Sequence, residues 1–200
     1  MIDELIKRYG RKCSSINVDG PAEINAPMGN MKFCEAVSHS FDSPVRIFNL
    51  NLGCPGARRA LGFDKDINTL SKTISVKNNI PENFVFDALK NIPAAGKSIG
   101  HVNLGLDKAL ERKLRPDLFI MYVKPHLITK MMHILAAQKI RPVISDYSFL
   151  SICGNVFAST YFNQAVSISF GCPESRKFGG VDDDEVIVGI PYRYVKYFMV

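Results

Sequence analysis

The sequence predicts an α/β or α+β fold: two internally duplicated halves related by pseudo-twofold symmetry, forming a mixed sheet flanked by helices. Three observations carry this. Segments of period-two and helical hydrophobic spacing alternate along the chain. A Gly-Cys-Pro turn occurs twice in closely similar surroundings, "NLGCPGARRALGF" at 51–63 and "SFGCPESRKFGGV" at 169–181. A 46% hydrophobic, 22% charged composition over 200 residues suits one domain with a sizeable core. The expected organisation is a single domain, 1–200, of two repeats at about 1–96 and 125–200, with a connecting strand pair at about 97–124.

The elements follow in order. "DELIKRYG" reads as a helix and "SSINV" as a strand; "HLITKMMHILAAQ" and "RPVIS" repeat that order after residue 125. "KFCEAVSHS" and "SICGNVFAS" read as short helical stretches. Each carries a cysteine, Cys34 at 20 residues before Cys54 and Cys153 at 19 before Cys172. Phe48, Leu50 and Leu52 alternate with Asn49 and Asn51. Val166, Ile168 and Phe170 alternate with Ser167 and Ser169. A strand with one core-facing apolar face and one small polar face is therefore expected before each Gly-Cys-Pro. Beyond the turns, "TISVKNNIPENFVFDALKNI" and "EVIVGIPYRYVKYFMV" each read as a strand, Ile-Pro and a helix with Pro near its first turn. Between the halves, "KSIGHVNLGL" and "DLFIMYV" are strand candidates. Met131 and Met132 lie on the apolar side of the 125–138 helix and read as core filling.

With Cys54 placed over Cys172, both copies share the preceding Gly, the following Pro, an Arg at four after, a basic residue at five, a Gly at eight and Asp at ten and twelve. Unrelated windows of this length share about one identity at average composition. The register points to duplication. It also sets the chemistry. Pro has no N–H and suits the first helical position, so Cys54 and Cys172 fall at the N-cap. There, free N–H groups and the helix dipole favour thiolate over thiol.

Three functions stay open at this point. Cys34, Cys54, Cys153 and Cys172 can converge on one metal centre, an iron–sulfur cluster or alternatively zinc. Arg58, Arg59, Arg176 and Lys177 would then offset the charge of the thiolate-bound cofactor, in redox work or in cluster or cofactor maturation. Alternatively, Cys54 or Cys172 is the nucleophile of a thiol enzyme, with Arg58 and Arg176 holding an anionic substrate. Third, the cysteines are small packing residues of a metal-free binding or assembly module. No CxxC pair is present, so spacing alone is not a metal signature. Cys13 has no counterpart in the second copy and carries no role.

Other constellations are weaker. The run Asp182, Asp183, Asp184, Glu185 lacks the glycine-punctuated loop of a calcium hand; an Asp–Arg bridge under each turn is expected instead. His126 and His133 read as surface groups, His39 as a turn residue, and His101 is uninformative. Serine-hydrolase elbows and phosphate-binding glycine loops do not occur. A net charge of +6 is scattered, with no basic block expected of a specific nucleic-acid interface. The opening "MIDELIKRYG" lacks an apolar signal region, and no apolar run is long enough to span a membrane. An odd count of five cysteines fits a reducing compartment, so a cytoplasmic location is expected. A redox or maturation partner protein and a homodimer are both compatible with the sequence.

The segments "FCEAV" at 33–37, "CPGARRALGF" at 54–63, "PDLFIMYVKP" at 116–125, "ICGNVFA" at 152–158, "GCPESRKFGG" at 171–180 and "DDDEVIVGIPY" at 182–192 together resemble the uncharacterised ArCR family of archaea and anaerobic bacteria, a domain of unknown function numbered 169. The family motifs hold cysteines corresponding to Cys34, Cys54, Cys153 and Cys172, which implies a shared site and names no reaction. Glu174-Ser175 stands where the first copy has Gly56-Ala57, so the two half-sites need not be equivalent.

Overall fold

A computed structural model describes residues 2–10, 12–20, 30–105, 114–145 and 149–199. Its centre is a seven-stranded mixed sheet in the order β2-β3-β1-β4-β7-β6-β5, with β1 Cys13–Val18, β2 Val45–Phe48, β3 His101–Leu104, β4 Leu118–Val123, β5 Val143–Ile144, β6 Ser167–Ser169 and β7 Val186–Pro191. All neighbouring pairs are antiparallel except β5 with β6. The central strand β4 is buried throughout. Its alternate residues feed two cores, which is why "LFIMYV" has no polar face. Phe119, Met121 and Val123 join α1 (Ile2–Tyr9) and Met131 and Leu135 on one side. Leu118, Ile120 and Tyr122 join the cysteine-bearing helices on the other.

The helices are α2 Phe33–His39, α3 Pro55–Ala60, α4 Ile67–Asn78, α5 Glu82–Asn91, α6 Pro125–Ala137, α7 Ser159–Asn163, α8 Pro173–Gly179 and α9 Tyr192–Phe198. A π-helix, Ser151–Ala158, runs directly into α7 and is wholly buried. Leu150 precedes it in the left-handed region, φ 55°, and its carbonyl accepts from both Gly154 N and Asn155 N at 2.9 Å, which opens the wider turn.

Three sequence expectations need correction. "TISVK" is not a strand but the second half of α4. Asp66 caps that helix at Asn68 N and Thr69 N, and Leu70, Ser71 and Ile74 bury one face; the short β-branched run is overridden by the cap and this helical stripe. The strand before Cys54 stops at Phe48. A 3₁₀ turn, Asn49–Asn51, follows, turning Leu50 out to 87% exposure, because Asn51 Oδ1 accepts from Phe48 N at 2.8 Å and pulls the chain into a turn. In the second copy β6 is a strand, but Ser167 and Ser169 are fully buried while Phe170 is 59% exposed. The serines face the π-helix segment: Ser169 Oγ pairs with Ser151 Oγ at 2.8 Å, and Ser167 Oγ donates to Val156 O at 3.1 Å. The small polar face is thus a hydrogen-bonded seat for that helix.

The expected Asp–Arg bridge under each turn is also replaced. Asp66 is a cap, and Asp64 accepts from Asp66 N. Lys12, at the foot of β1, meets Asp182 at 2.9 Å and Glu185 at 2.8 Å, and Lys124 pairs with Asp184. Among the described carboxylates, Arg176 reaches the fully exposed Asp183, at 3.6 Å. Among the described residues, no helix is long and apolar enough to cross a membrane.

Candidate functional site

Cys34, Cys54, Cys153 and Cys172 line one cavity of about 150 Å³ on the α2–α5 side of the sheet. That is room for a benzene-sized group. Each cysteine comes from the first turn of a helical segment. Cys54 and Cys172 occupy the N-caps of α3 and α8, with Pro55 and Pro173 at the first helical position, as the sequence predicts. Cys34 is the second residue of α2 and Cys153 the third of the π-helix.

The packing crosses the halves. α2 lies on α8: Cys34 Sγ donates to Glu174 O at 3.6 Å, and a Cβ on Gly179 would stand 3.0 Å from that of Cys34. The π-helix segment lies on α3: a Cβ on Gly56 would meet Leu150 Cδ2 at 2.1 Å. Glycine at both contacts is what allows the helices to come this close. Cys34 therefore meets the Cys172 corner, and the Cys153 segment the Cys54 corner.

The four thiols differ in electrostatics. Cys54 is half-buried, whereas Cys34, Cys153 and Cys172 are buried. A hydrogen bond from Cys153 brings the Cys54 thiol down to about 6, below its ordinary 9.0; the N–H groups of Ala57 and Phe33 and the charge of Lys32 act in the same direction, against burial. The same hydrogen bond, together with burial, holds Cys153 well above the ordinary thiol range. Burial pushes Cys34 up to about 12, with the neighbouring Cys54 and Cys172 charges adding to it. Cys172 accepts from Ser175 N at 3.4 Å, while Ser175 Oγ accepts from Cys172 N at 2.8 Å, a reciprocal cap.

The basic residues expected at the site do not line the cavity. Arg58 donates to Asn49 Oδ1 at 2.8 Å and Asn49 O at 3.0 Å. Arg59 reaches Leu89 O, and its Nε is buried without a partner among the described residues. Arg176 donates to Asp182 O at 2.6 Å and Phe170 O at 2.9 Å. Lys177 sits 5.2 Å from the Phe178 ring centre. Arg58 and Arg176 thus tie the corners to the chain just before them. Lys32 and Lys77 line the cavity instead, Lys77 paired with Glu174. Lys32 immediately precedes α2, a placement that sequence spacing did not mark. Leu70, Ile74, Leu150 and Ile152 make the rest of the wall mainly apolar.

Among the described residues, no three His, Cys, Asp or Glu side chains are gathered as the ligand set of one metal ion. His39, His126 and His133 are exposed, and His101 Nε2 faces Gly20 O at 2.8 Å. Cys13 is buried in the opposite core.

Comparison with known proteins adds kinship. An uncharacterized protein of Methanocaldococcus jannaschii is 27% identical over 82 residues, which is 40% of this chain and 35% of that relative. The chain thus matches about a third of that relative's length. No solved structure matches it. The model of the family described as uncharacterised ArCR matches residues 12–199, a span that takes in both Gly-Cys-Pro corners and all four cavity cysteines: the chain belongs to the ArCR family.

Proposed function

We propose that this protein is a thiol-dependent enzyme whose nucleophile is Cys54, acting on a substrate with an apolar arm and an anionic end. The observation that carries the reading is the asymmetry among four thiols in one cavity. Only Cys54 is both incompletely buried and lowered in its thiol pKa, to about 6. The apolar wall suits the arm, and Lys32, whose charge already reaches Cys54, suits the anion. Cys172, the other sequence candidate, is buried with its sulfur engaged as a helix cap.

The reciprocal packing of each half's helical cysteine on the other half's corner supports an origin by internal duplication, with the cavity at the junction of the copies. A cytoplasmic location fits five cysteines without a disulfide.

Alkylation tests the reading. At pH 6, wild-type protein is expected to react fastest at Cys54, with iodoacetate favoured relative to iodoacetamide, and Lys32→Ala to remove that preference. Fast alkylation that survives Cys54→Ser, or slow alkylation at every cysteine, overturns it.

A second reading is a thiolate metal centre, iron–sulfur or zinc, favoured by the convergence of Cys34, Cys54, Cys153 and Cys172 on one cavity. It requires the four sulfurs to draw together from their present positions. Anaerobically purified protein carrying stoichiometric iron and sulfide, or zinc, lost in Cys→Ser variants, would favour this reading over the first.

A further inference from the structure

Cys54 does not stand alone in its cavity. Cys153 lines the same space, on the helical segment that packs against the helix Cys54 caps, and is itself 6% exposed. Bond formation between two sulfurs needs them at ~2.05 Å. The close approach of their two helices, where a Cβ on Gly56 would meet Leu150 Cδ2 at 2.1 Å, makes the thiols neighbours across one cavity, which leaves space for the shift. The two other thiols are engaged elsewhere: Cys172 with Ser175 N and Cys34 with Glu174 O. A substrate entering from solvent meets the half-open Cys54 before the buried Cys153.

We propose that Cys153 is the resolving thiol for Cys54 and that the substrate class is a small disulfide, which the pair reduces to two thiols. The inference rests on the reading of Cys54 as nucleophile. Cys54 thiolate attacks one sulfur of R–S–S–R′. A bond forms between Cys54 Sγ and the sulfur of R, the substrate S–S bond breaks, and the electron pair leaves on the sulfur of R′. That thiolate takes the Cys153 proton. Cys153 thiolate then attacks Cys54 Sγ, forming the Cys54–Cys153 disulfide and expelling the R thiolate, which is protonated from water. The substrate gains two electrons and the protein loses two, so each further turnover needs a dithiol reductant.

The order of steps follows from the electrostatics. In the resting pair, the Cys54 charge and its hydrogen bond oppose ionisation of Cys153. Once Cys54 is a mixed disulfide, that charge is gone and Cys153 ionises more readily. The resolving thiol is thus released by the first step. The apolar wall and Lys32 favour a disulfide with short hydrocarbon arms ending in a carboxylate.

The test uses the reduced full chain with 3,3′-dithiodipropionate at pH 7, followed by thiol counting and non-reducing peptide mapping. Wild-type protein is expected to release two thiols per chain and to yield a peptide linking Cys54 to Cys153. Cys153→Ser should release one thiol and retain 3-mercaptopropionate in a mixed disulfide with Cys54. If wild-type protein also stops at one thiol with the adduct on Cys54, or links Cys54 to Cys34 or Cys172, the resolving role falls while Cys54 remains the nucleophile. If Cys54 stays unmodified in both proteins, the nucleophile reading falls and the inference with it. The thiol count on wild-type protein decides the matter even should Cys153→Ser fold poorly.

Discussion

The two Gly-Cys-Pro corners begin from nearly the same residues and end in different chemistry. At the second, Ser175 closes a reciprocal cap with Cys172, fixing the sulfur on a backbone N–H in a buried turn. At the first, Ala57 stands in the equivalent place and has no side chain to reach back. Cys54 is left half-buried, and a thiol from the other half becomes its partner. On the proposed reading, one hydroxyl separates a structural cysteine from a reactive one. The reciprocal cap holds the second sulfur in a buried turn, whereas the first corner, without that hydroxyl, keeps its sulfur half-buried at the cavity.

The sharpest way to break the comparison is kinetic. At pH 6 a thiol titrating near 6 carries about 500-fold more thiolate than one at 9.0; after the lower intrinsic nucleophilicity is allowed for, roughly a 20-fold rate advantage remains. Cys54→Ser should remove a fast alkylation phase of about that size, whose rate rises with pH through about 6, and Cys172→Ser should leave it in place. The same titration affects stability. With its folded value below the free thiol's, Cys54 stabilises the fold fully above pH 9 and loses that contribution as pH falls through about 6. Cys34, pushed the opposite way, contributes fully below pH 9 and loses it as pH rises through about 12. Urea unfolding of Cys54→Ala should therefore show a shallower rise in stability between pH 6 and 9 than wild type.

Ser175→Ala comes next. It strips the second corner of its cap and orphans a buried N–H, at a cost of about 1–2 kcal/mol in denaturant unfolding; Ala57→Ser, which offers the first corner a cap, should slow Cys54 alkylation. The glycines before each cysteine separate the corners again. Gly171 has φ 94°, so Gly171→Ala should cost ~1–2 kcal/mol. A Cβ on Gly53 would meet only the movable Asn30 side chain, at 2.6 Å from its Oδ1, so Gly53→Ala should cost less by the same measurement. Smallest is Lys77→Ala. Its partly exposed bridge to Glu174 is worth under about 1 kcal/mol to stability. Because both groups line the cavity, faster alkylation of Cys54 is the clearer readout.

Much of this was legible in the residues. A short apolar run and helical spacing locate β4 and α6, and Pro after Cys places both sulfurs at helix starts. The difference Gly56-Ala57 against Glu174-Ser175 is visible in the sequence as unequal corners, although not which of them would be reactive. That depends on Cys153 reaching Cys54 from 99 residues away, a contact that no local pattern encodes. The arginines lie off the cavity for a related reason. A guanidinium one turn beyond a cysteine is equally placed to serve an anion or the chain's own carbonyls, and the preceding loop, with its exposed Asn49, won. The "TISVK" run shows local propensity yielding to a cap two turns upstream.

The wide-turned segment Ser151–Ala158 has a consequence for how the chain length there is constrained. Its carbonyls are met one residue later than in an ordinary helix, so it holds one residue more than an α-helical path would. Removing a single residue between Gly154 and Ala158 would let the coil tighten, and each residue of phase is worth about 100° of rotation. The β6 seat and α7 hold the far end, so the near end would turn. Cys153 would swing away from Cys54 with every side-chain identity at the cavity intact. Length in this stretch, as much as composition, decides which sulfur faces which.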